Sequence, residues 1–472
     1  MGINEQDLRK IVEEVVKNLD LSSPDPAVSS SSSGPVFETV DEAVKEAGKA
    51  QKYFQDLGLE RREKIISAMR EVSRLNAERW AKMAVQETGM GRVGDKITKN
   101  LLVANKTPGV EDLRSLSYTG DKGLTLVEYA PFGVVAAITP STNAVATIIS
   151  NAIAILSAGN SVVFSPHPAA KKSVQDAVTI LDRAIVSAGG PENLLSTIAN
   201  PTQDSTKYLL SHDRINMSIV TGGPAIVKVA MSAGKARKTI AAGPGNPPIV
   251  VDETADLSLA AKEIIYGCGF DNNVLCIAEK EVIAVEKIKK QLLEEFRKNP
   301  YAYELSGEQM DKLAKLAILE PGMEPKVNRD FVGKNPSVMA RAIGLNISDE
   351  VRVLWSETSR DHPFVVSEQL MPVLPVTSAP NIDEAIELAY KLEWENHHTS
   401  GIYSMNIENL TKMGRRMACS IFVKNACTLY GLGMGEGYSS MSIGTPTGDG
   451  ITKPTHFTRP LQCSVVGYLR IA

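Results

Sequence analysis

The chain has 472 residues, 43 % of them hydrophobic, and a formal net charge of −4. That length supports two or three domains with their own cores, and the charge lacks the basic excess of a nucleic-acid-binding protein. Its five cysteines, Cys268, Cys276, Cys419, Cys427 and Cys463, form no CxxC pair, which argues against a disulfide framework or a structural zinc site and for a reducing compartment.

The N-terminus has no secretory signal. Residues 3–19 carry Leu8, Ile11, Val12, Val15, Val16 and Leu19 at steps of three and four, one apolar stripe along a helix. Asn4 can cap it and Ile3 can staple it to Leu8. We assign residues 1–20 to an amphipathic helix and residues 21–35, rich in serine, to a flexible linker. Such a helix docks either on its own domain or in the groove of another protein; the long tether favours the second.

From Val36 to about Arg114 the pattern is helical and amphipathic. Strands and helices then alternate. Strands are expected over 133–139, 161–166, 193–199 and 214–222, and helices over 144–157 and 169–188. The apolar run 144–164 is no membrane span, because Asn151, Gly159 and Asn160 interrupt it. The alternation predicts an α/β fold with a parallel, doubly wound sheet that places ligands at the carboxyl ends of its strands. A GxGxxG fingerprint is absent. Two strand-to-helix turns are candidates for dinucleotide contact: 138–144, and 221–225, where Gly222 and Gly223 let backbone approach and Pro224 suits a first helical turn. Glycines after a strand are usually only turns.

A second region follows. A strand ends at Asp252, a helix covers 255–268, and a loop with Asn272 and Asn273 leads to Cys276 and the strand 281–285. A second βα series continues to about 440. Residues 456–471 read as a terminal strand. The stretch 117–129 is apolar and strand-like, and is expected to pair with a strand of another subunit. Cys276, in a helix–loop–strand corner, is either an inert core thiol or a nucleophile.

The segments "ITPSTNA", "SPHPAA", "VTGGPA", "AAGPGNPPIVV", "DNNVLCIAEKE", "SEQLMPVLPV" and "GTPTGDGITKPTHFTR" occur in this order. Together they resemble the CoA-acylating aldehyde dehydrogenases, closest to the propionaldehyde and acetaldehyde dehydrogenases of bacterial microcompartments. The resemblance covers residues 36–472, and the tail resembles an encapsulation peptide. It implies a nucleotide-binding domain over 36–242, with 117–129 in an oligomerisation arm. A catalytic domain over 243–442 and a return segment with an oligomerisation strand over 443–472 complete the subunit. It further implies a homo-oligomer in the lumen of a cytoplasmic microcompartment, bound to shell proteins through residues 1–20. The implied reaction is the reversible oxidation of a short-chain aldehyde with NAD and coenzyme A to acyl-CoA. Neither a metal nor a membrane nor a nucleic acid enters it.

The same resemblance makes Cys276 the nucleophile, forming a thiohemiacetal and then a thioester. Asn143 and the Cys276 backbone N–H become donors to the oxyanion; the alternative for Asn143 is a helix cap. Thr139 and Pro140 lie along the cofactor, Thr221, Gly222 and Gly223 near its pyrophosphate, and Glu368 on the nicotinamide ribose. Ser165, His167 and Pro168 stand where hydrolytic relatives carry lysine and glutamate around the adenosine ribose. The missing carboxylate leaves NADP use open. Ala241 replaces the glutamate that activates water in those relatives, so the thioester should survive until coenzyme A arrives. His397 and His398 are candidates to assist that thiol, and Lys453 and Arg459 to meet CoA phosphates; each has a plain structural reading beside it. The rival readings are a hydrolytic aldehyde dehydrogenase, an acyl-phosphate reductase and an inactive shell-binding protein.

Overall fold

A computed structural model of the protein describes residues 34–233 and 236–471. The helix expected within 1–20 and nearly all of the 21–35 linker lie outside the described residues.

The Thr39 hydroxyl accepts from the Glu42 N–H at 3.3 Å and so caps the helix Val40–Gln55. Val40, Ala43, Val44 and Ala47 recur at helical spacing on its buried face and pack with Val134, Ala136 and Val163. These belong to a six-stranded sheet in the order Val36–Phe37, Leu195–Ile198, Ser161–Pro166, Val134–Thr139, Met217–Thr221, Lys238–Ala242, with every neighbouring pair parallel. Every residue of Val134–Thr139 and Ser161–Pro166 is buried, as in a parallel strand covered on both faces. The helix Ala144–Ser157 is buried along its whole length. The expected spans 144–157 and 161–166 are met. The helix expected over 169–188 begins instead as a 3-10 turn, Pro168–Ala170, before Lys171–Ser187.

The second sheet has seven parallel strands: Ala302–Glu304, Val353–Glu357, Val373–Ala379, Glu281–Val285, Pro248–Val251, Thr399–Tyr403 and Ile421–Lys424. The helix Leu257–Gly269 and a 3-10 turn, Phe270–Asn273, lead from this sheet to Cys276. Phe270, Leu275, Ile277 and Ala278 pack into the same apolar core as the Ala144–Ser157 helix. The cysteine corner is thereby docked against the first sheet's central βα unit.

A third, antiparallel sheet corrects one expectation. The stretch 117–129 finds its partner within the same chain. Leu116–Gly120 and Gly123–Pro131 form a hairpin, and the terminal strand Thr458–Val466 pairs along Gly123–Pro131 over its full length. Two strand-like segments more than 300 residues apart in sequence satisfy one another's backbone groups. The arm remains wet and apolar: Tyr118, Leu461 and Val466 are exposed.

Candidate active site

Every residue from Gly267 to Val285 is buried except Cys276, which is half-buried. The loop before it holds three consecutive residues in the left-handed region: Asp271, Asn272 and Asn273, at φ 49°, 54° and 63°. Aspartate and asparagine tolerate this region best among residues with a Cβ. Such strain persists only where surrounding contacts over-determine it, and here they do. The Arg92 backbone N–H donates to Asp271 Oδ1 and its Nε to Asn272 Oδ1, each at 2.8 Å. The Asp271 N–H donates to Asp95 at 2.7 Å. Asn273 Nδ2 donates to the carbonyls of Cys268 and Glu279, each at 3.0 Å. The wholly buried Lys280 donates to the carbonyls of Asn273 and Leu275 at 3.2 and 3.1 Å, and to Asn273 Oδ1.

Asn143 stands at the N-cap position of Ala144–Ser157, yet its side chain makes no capping hydrogen bond. Its Oδ1 takes the Lys99 ammonium at 2.5 Å. Its Nδ2 faces the cysteine loop, 3.4 Å from the Val274 carbonyl. Lys99 and Lys96, one helical turn apart on Val93–Lys106, both pair with Asp271. One carboxylate thus joins the helix behind Asn143 to the loop that carries Cys276.

Burial pushes the Cys276 thiol up to about 12, and the Glu368 carboxylate adds to the rise; Lys280 and Lys99 oppose it. Burial raises Glu368 to about 7, against the Lys280 charge and the Gly245 N–H, which donates to Glu368 at 3.4 Å. His398 is buried, and burial together with Lys280 lowers its imidazole to about 4. Its Nδ1 lies 2.9 Å from Thr399 Oγ1, and its buried Nε2 has no hydrogen-bond partner within the protein. His397 is exposed, its Nδ1 2.9 Å from the Met417 carbonyl. Of the two adjacent histidines, only His398 lies in the cluster. Cys276, Glu368, His398 and Gly245 precede four adjacent strands, Glu281–Val285, Val373–Ala379, Thr399–Tyr403 and Pro248–Val251. The chemistry therefore gathers at the amino ends of the second sheet.

The other predicted residues lie at the carboxyl ends of the first sheet. Thr139 ends one strand, and its carbonyl accepts from the His167 N–H at 3.0 Å. Pro140 is half-buried in the turn that follows. Ser165 is buried, sharing a 2.9 Å hydrogen bond with Thr206. His167 is exposed and caps the Pro168–Ala170 turn. Thr221 Oγ1 meets Ser442 Oγ at 2.7 Å, and the Gly222 N–H donates to the Ala242 carbonyl at 3.2 Å. Gly223 is the N-cap of Pro224–Ser232, where no side chain caps the helix and the space around its Cα is open. An uncapped helix start behind glycine suits a pyrophosphate, so these residues fit a dinucleotide. Ala241 is fully buried in Lys238–Ala242, one residue before the Ala242 that pairs with Thr221.

Lys453 and Arg459 are already engaged. Lys453 pairs with Asp112 at 2.7 Å, and Arg459 Nε donates to the Pro131 carbonyl at 3.4 Å. Sequence reasoning missed Lys99, Lys280 and Gly245. For Lys280 there was a signal: three charged residues, Glu279 to Glu281, interrupt an apolar run. Among the described residues no group of three or more His, Cys, Asp or Glu is placed to hold a metal, and no helix is long and apolar enough to cross a membrane.

Residues 32–317 match the model of the aldehyde dehydrogenase family. The acetaldehyde dehydrogenase (acetylating) EutE of Salmonella typhimurium is 46 % identical over 99 % of this chain and 100 % of its own length. A propionaldehyde dehydrogenase from the Clostridium phytofermentans fucose utilisation bacterial microcompartment superposes with a TM-score of 0.89 at 42 % identity, over 93 % of this chain and 100 % of that one. The Rhodopseudomonas palustris propionaldehyde dehydrogenase, solved with bound CoA and an acylated cysteine, gives 0.88 at 42 % identity, over 92 % and 98 %. This chain belongs to the aldehyde dehydrogenase family, within its CoA-acylating group.

Proposed function

We propose that this chain oxidises a short-chain aldehyde, acetaldehyde or propionaldehyde, to the acyl-CoA with a nicotinamide dinucleotide and coenzyme A, reversibly. The observation that carries the assignment of Cys276 as nucleophile is its position as the one residue open to solvent in a buried segment, two residues after the Val274 carbonyl that the Asn143 amide faces. Cys276 gives up its thiol proton to solvent at its half-buried face, and the thiolate adds to the aldehyde carbon. The Asn143 Nδ2 and the Cys276 backbone N–H receive the oxygen as its charge develops. Thr139, Pro140, Thr221, Gly222 and Gly223 hold the dinucleotide, with Ser165 and His167 beside its adenosine ribose and Glu368 on the nicotinamide ribose. A dinucleotide held by these residues would supply hydride acceptance from the carbon bonded to the Cys276 sulfur, leaving the acyl group on that sulfur as a thioester.

His398 then serves the incoming thiol. Burial keeps its imidazole neutral across the physiological range, and in the tautomer that carries the proton on Nδ1, facing Thr399 Oγ1, the Nε2 lone pair can accept the CoA proton. The buried methyl of Ala241 offers water no base, which sets the hydrolytic alternative aside. Cys276→Ala tests the nucleophile: NADH formation should fall at least about 10³-fold with dinucleotide binding retained, a loss expected when a covalent route is removed. Turnover within tenfold of wild type overturns the assignment.

The sheet Leu116–Gly120, Gly123–Pro131 and Thr458–Val466 leaves both outer edges unpaired among the described residues and exposes apolar side chains. This arm joins subunits into a homo-oligomer. The protein resides in a microcompartment lumen, held to shell proteins through the apolar stripe of residues 1–20. A reporter carrying residues 1–20 should become punctate in cells that make the shell. A diffuse reporter overturns that role.

A further inference from the structure

We propose that Lys99 is a positioning residue for the oxyanion donor: its ammonium locks the Asn143 amide with Nδ2 turned to the cysteine loop. The inference rests on the reading of Asn143 as that donor. The two ends of an amide are nearly alike in size, so hydrogen-bond partners alone decide which end faces a site. An ammonium can only donate. Its 2.5 Å contact therefore takes the oxygen of Asn143 and leaves the nitrogen for the side where Val274 and Cys276 lie.

The position works against local preference. Asparagine at an N-cap ordinarily turns its oxygen onto the first-turn N–H groups of its own helix. Asn143 occupies that position and does not cap. Lys99 has captured the oxygen that would have done so. Lys99 is itself pinned: it is buried and paired with Asp271, which also holds Lys96 at 3.0 Å, and Lys96 donates to the Thr142 carbonyl at 3.1 Å. Asp271 is the first of the three left-handed residues in the cysteine loop. A shift of the loop would carry this carboxylate with it, so donor and nucleophile are referenced to one another through a single ion cluster.

The experiment is a double-mutant cycle on the pre-steady-state rate of NADH formation. Removing one oxyanion donor typically costs about 10²–10³-fold, and Asn143→Ala should fall in that range. Lys99→Met should lose about 10–100-fold with dinucleotide affinity and aldehyde KM within about threefold, since the residue touches neither ligand. The double variant should be no slower than Asn143→Ala alone beyond what losing the Lys99 charge does to the Cys276 thiol, which the pH dependence of thiol alkylation in Lys99→Met reads separately. Lys99→Gln keeps a neutral donor and should recover part of the rate; it stands in for Lys99→Met if that protein does not fold. A crystal structure of the Lys99 variant should show the Asn143 oxygen turned onto the first turn of its helix. Losses that multiply in the double variant overturn the proposal and leave the Asn143 reading intact. A wild-type rate in Asn143→Ala overturns that reading and the proposal together.

Discussion

Gly245 separates Cys276 from His398: a Cβ built on Gly245 lies 3.0 Å from the Cys276 carbonyl oxygen and 2.8 Å from Cγ of the His398 ring. Neither neighbour has room to give, since one is backbone and the other a buried ring.

Gly245→Ala should therefore displace the imidazole from the thioester. We expect CoA-dependent turnover to fall more than about tenfold and stability to drop by about 1–3 kcal/mol, the usual effect of overpacking. Steady-state kinetics and urea unfolding check it. An alanine variant with wild-type kcat would mean that the spacing between nucleophile and histidine is not limiting.

The two adjacent histidines should behave differently. His398→Ala removes a buried imidazole whose Nε2 has no partner within the protein, and should slow acyl transfer to CoA by about 10²–10⁴-fold while the first NADH burst persists. His397→Ala removes an exposed ring bonded to the Met417 carbonyl and should change neither phase by more than about twofold. Stopped-flow absorbance with and without CoA separates the two phases. Equal effects from both substitutions would end the assignment of His398.

Most of the fold was legible because parallel strands are apolar throughout and the helices that cover them carry an apolar face. The spans 144–157, 161–166 and 281–285 are bounded by turn residues and came out as expected. The motif singled out Cys276, and the structure leaves it the one half-buried residue between Gly267 and Val285. What escaped is tertiary. Lys99 lies 44 positions from Asn143 on a helix whose sequence pattern gives no sign that its lysines are buried. Of the candidate residues, only those of the first sheet lie at carboxyl strand ends. Cys276, Glu368 and His398 meet at the amino ends of the second, a juxtaposition of residues spread over more than 120 positions that no local pattern encodes. The pairing of 123–131 with 458–466 is likewise a long-range closure. It turned two strands without evident partners into one arm.

Glu279 gives the stability a pH dependence. It is fully buried, and burial raises its carboxyl from 4.5 to about 7. One oxygen accepts from the Thr428 N–H at 2.8 Å and the other has no partner. A folded-state pKa above the unfolded one means the contribution is full below about 4.5 and is lost as pH rises through about 7. The loss is on the order of 3 kcal/mol. Glu279→Gln cannot ionise, so its unfolding free energy relative to wild type should rise between pH 5 and pH 8 by an amount of that order. Urea titrations of both proteins at the two pH values measure it, other groups cancelling in the difference. A gap independent of pH would show that Glu279 stays ionised in the folded protein.

The fate of the thioester distinguishes this chain from hydrolytic relatives. On the proposed reading Cys276 would hold the acyl group after hydride transfer, and residue 241 is an alanine, enclosed in its strand with its N–H donating to Thr447 Oγ1 at 3.2 Å. A carboxylate base is worth about 10²–10⁴ in rate, or about 3–5 kcal/mol of barrier, and without one water attacks slowly. The thiol of coenzyme A is intrinsically the better nucleophile, and His398 Nε2 is free to take its proton. NADH formation without CoA should therefore stop after about one equivalent per active site, with an acylated protein heavier by the acyl group in intact mass spectrometry. Added CoA should restore steady turnover and give acyl-CoA as the main product. In His398→Ala the acylated protein should accumulate even with CoA present, because the first half-reaction does not need the imidazole. Rapid turnover to free acid without CoA, in the wild type, would refute the acylating mechanism and require a water-activating base other than residue 241.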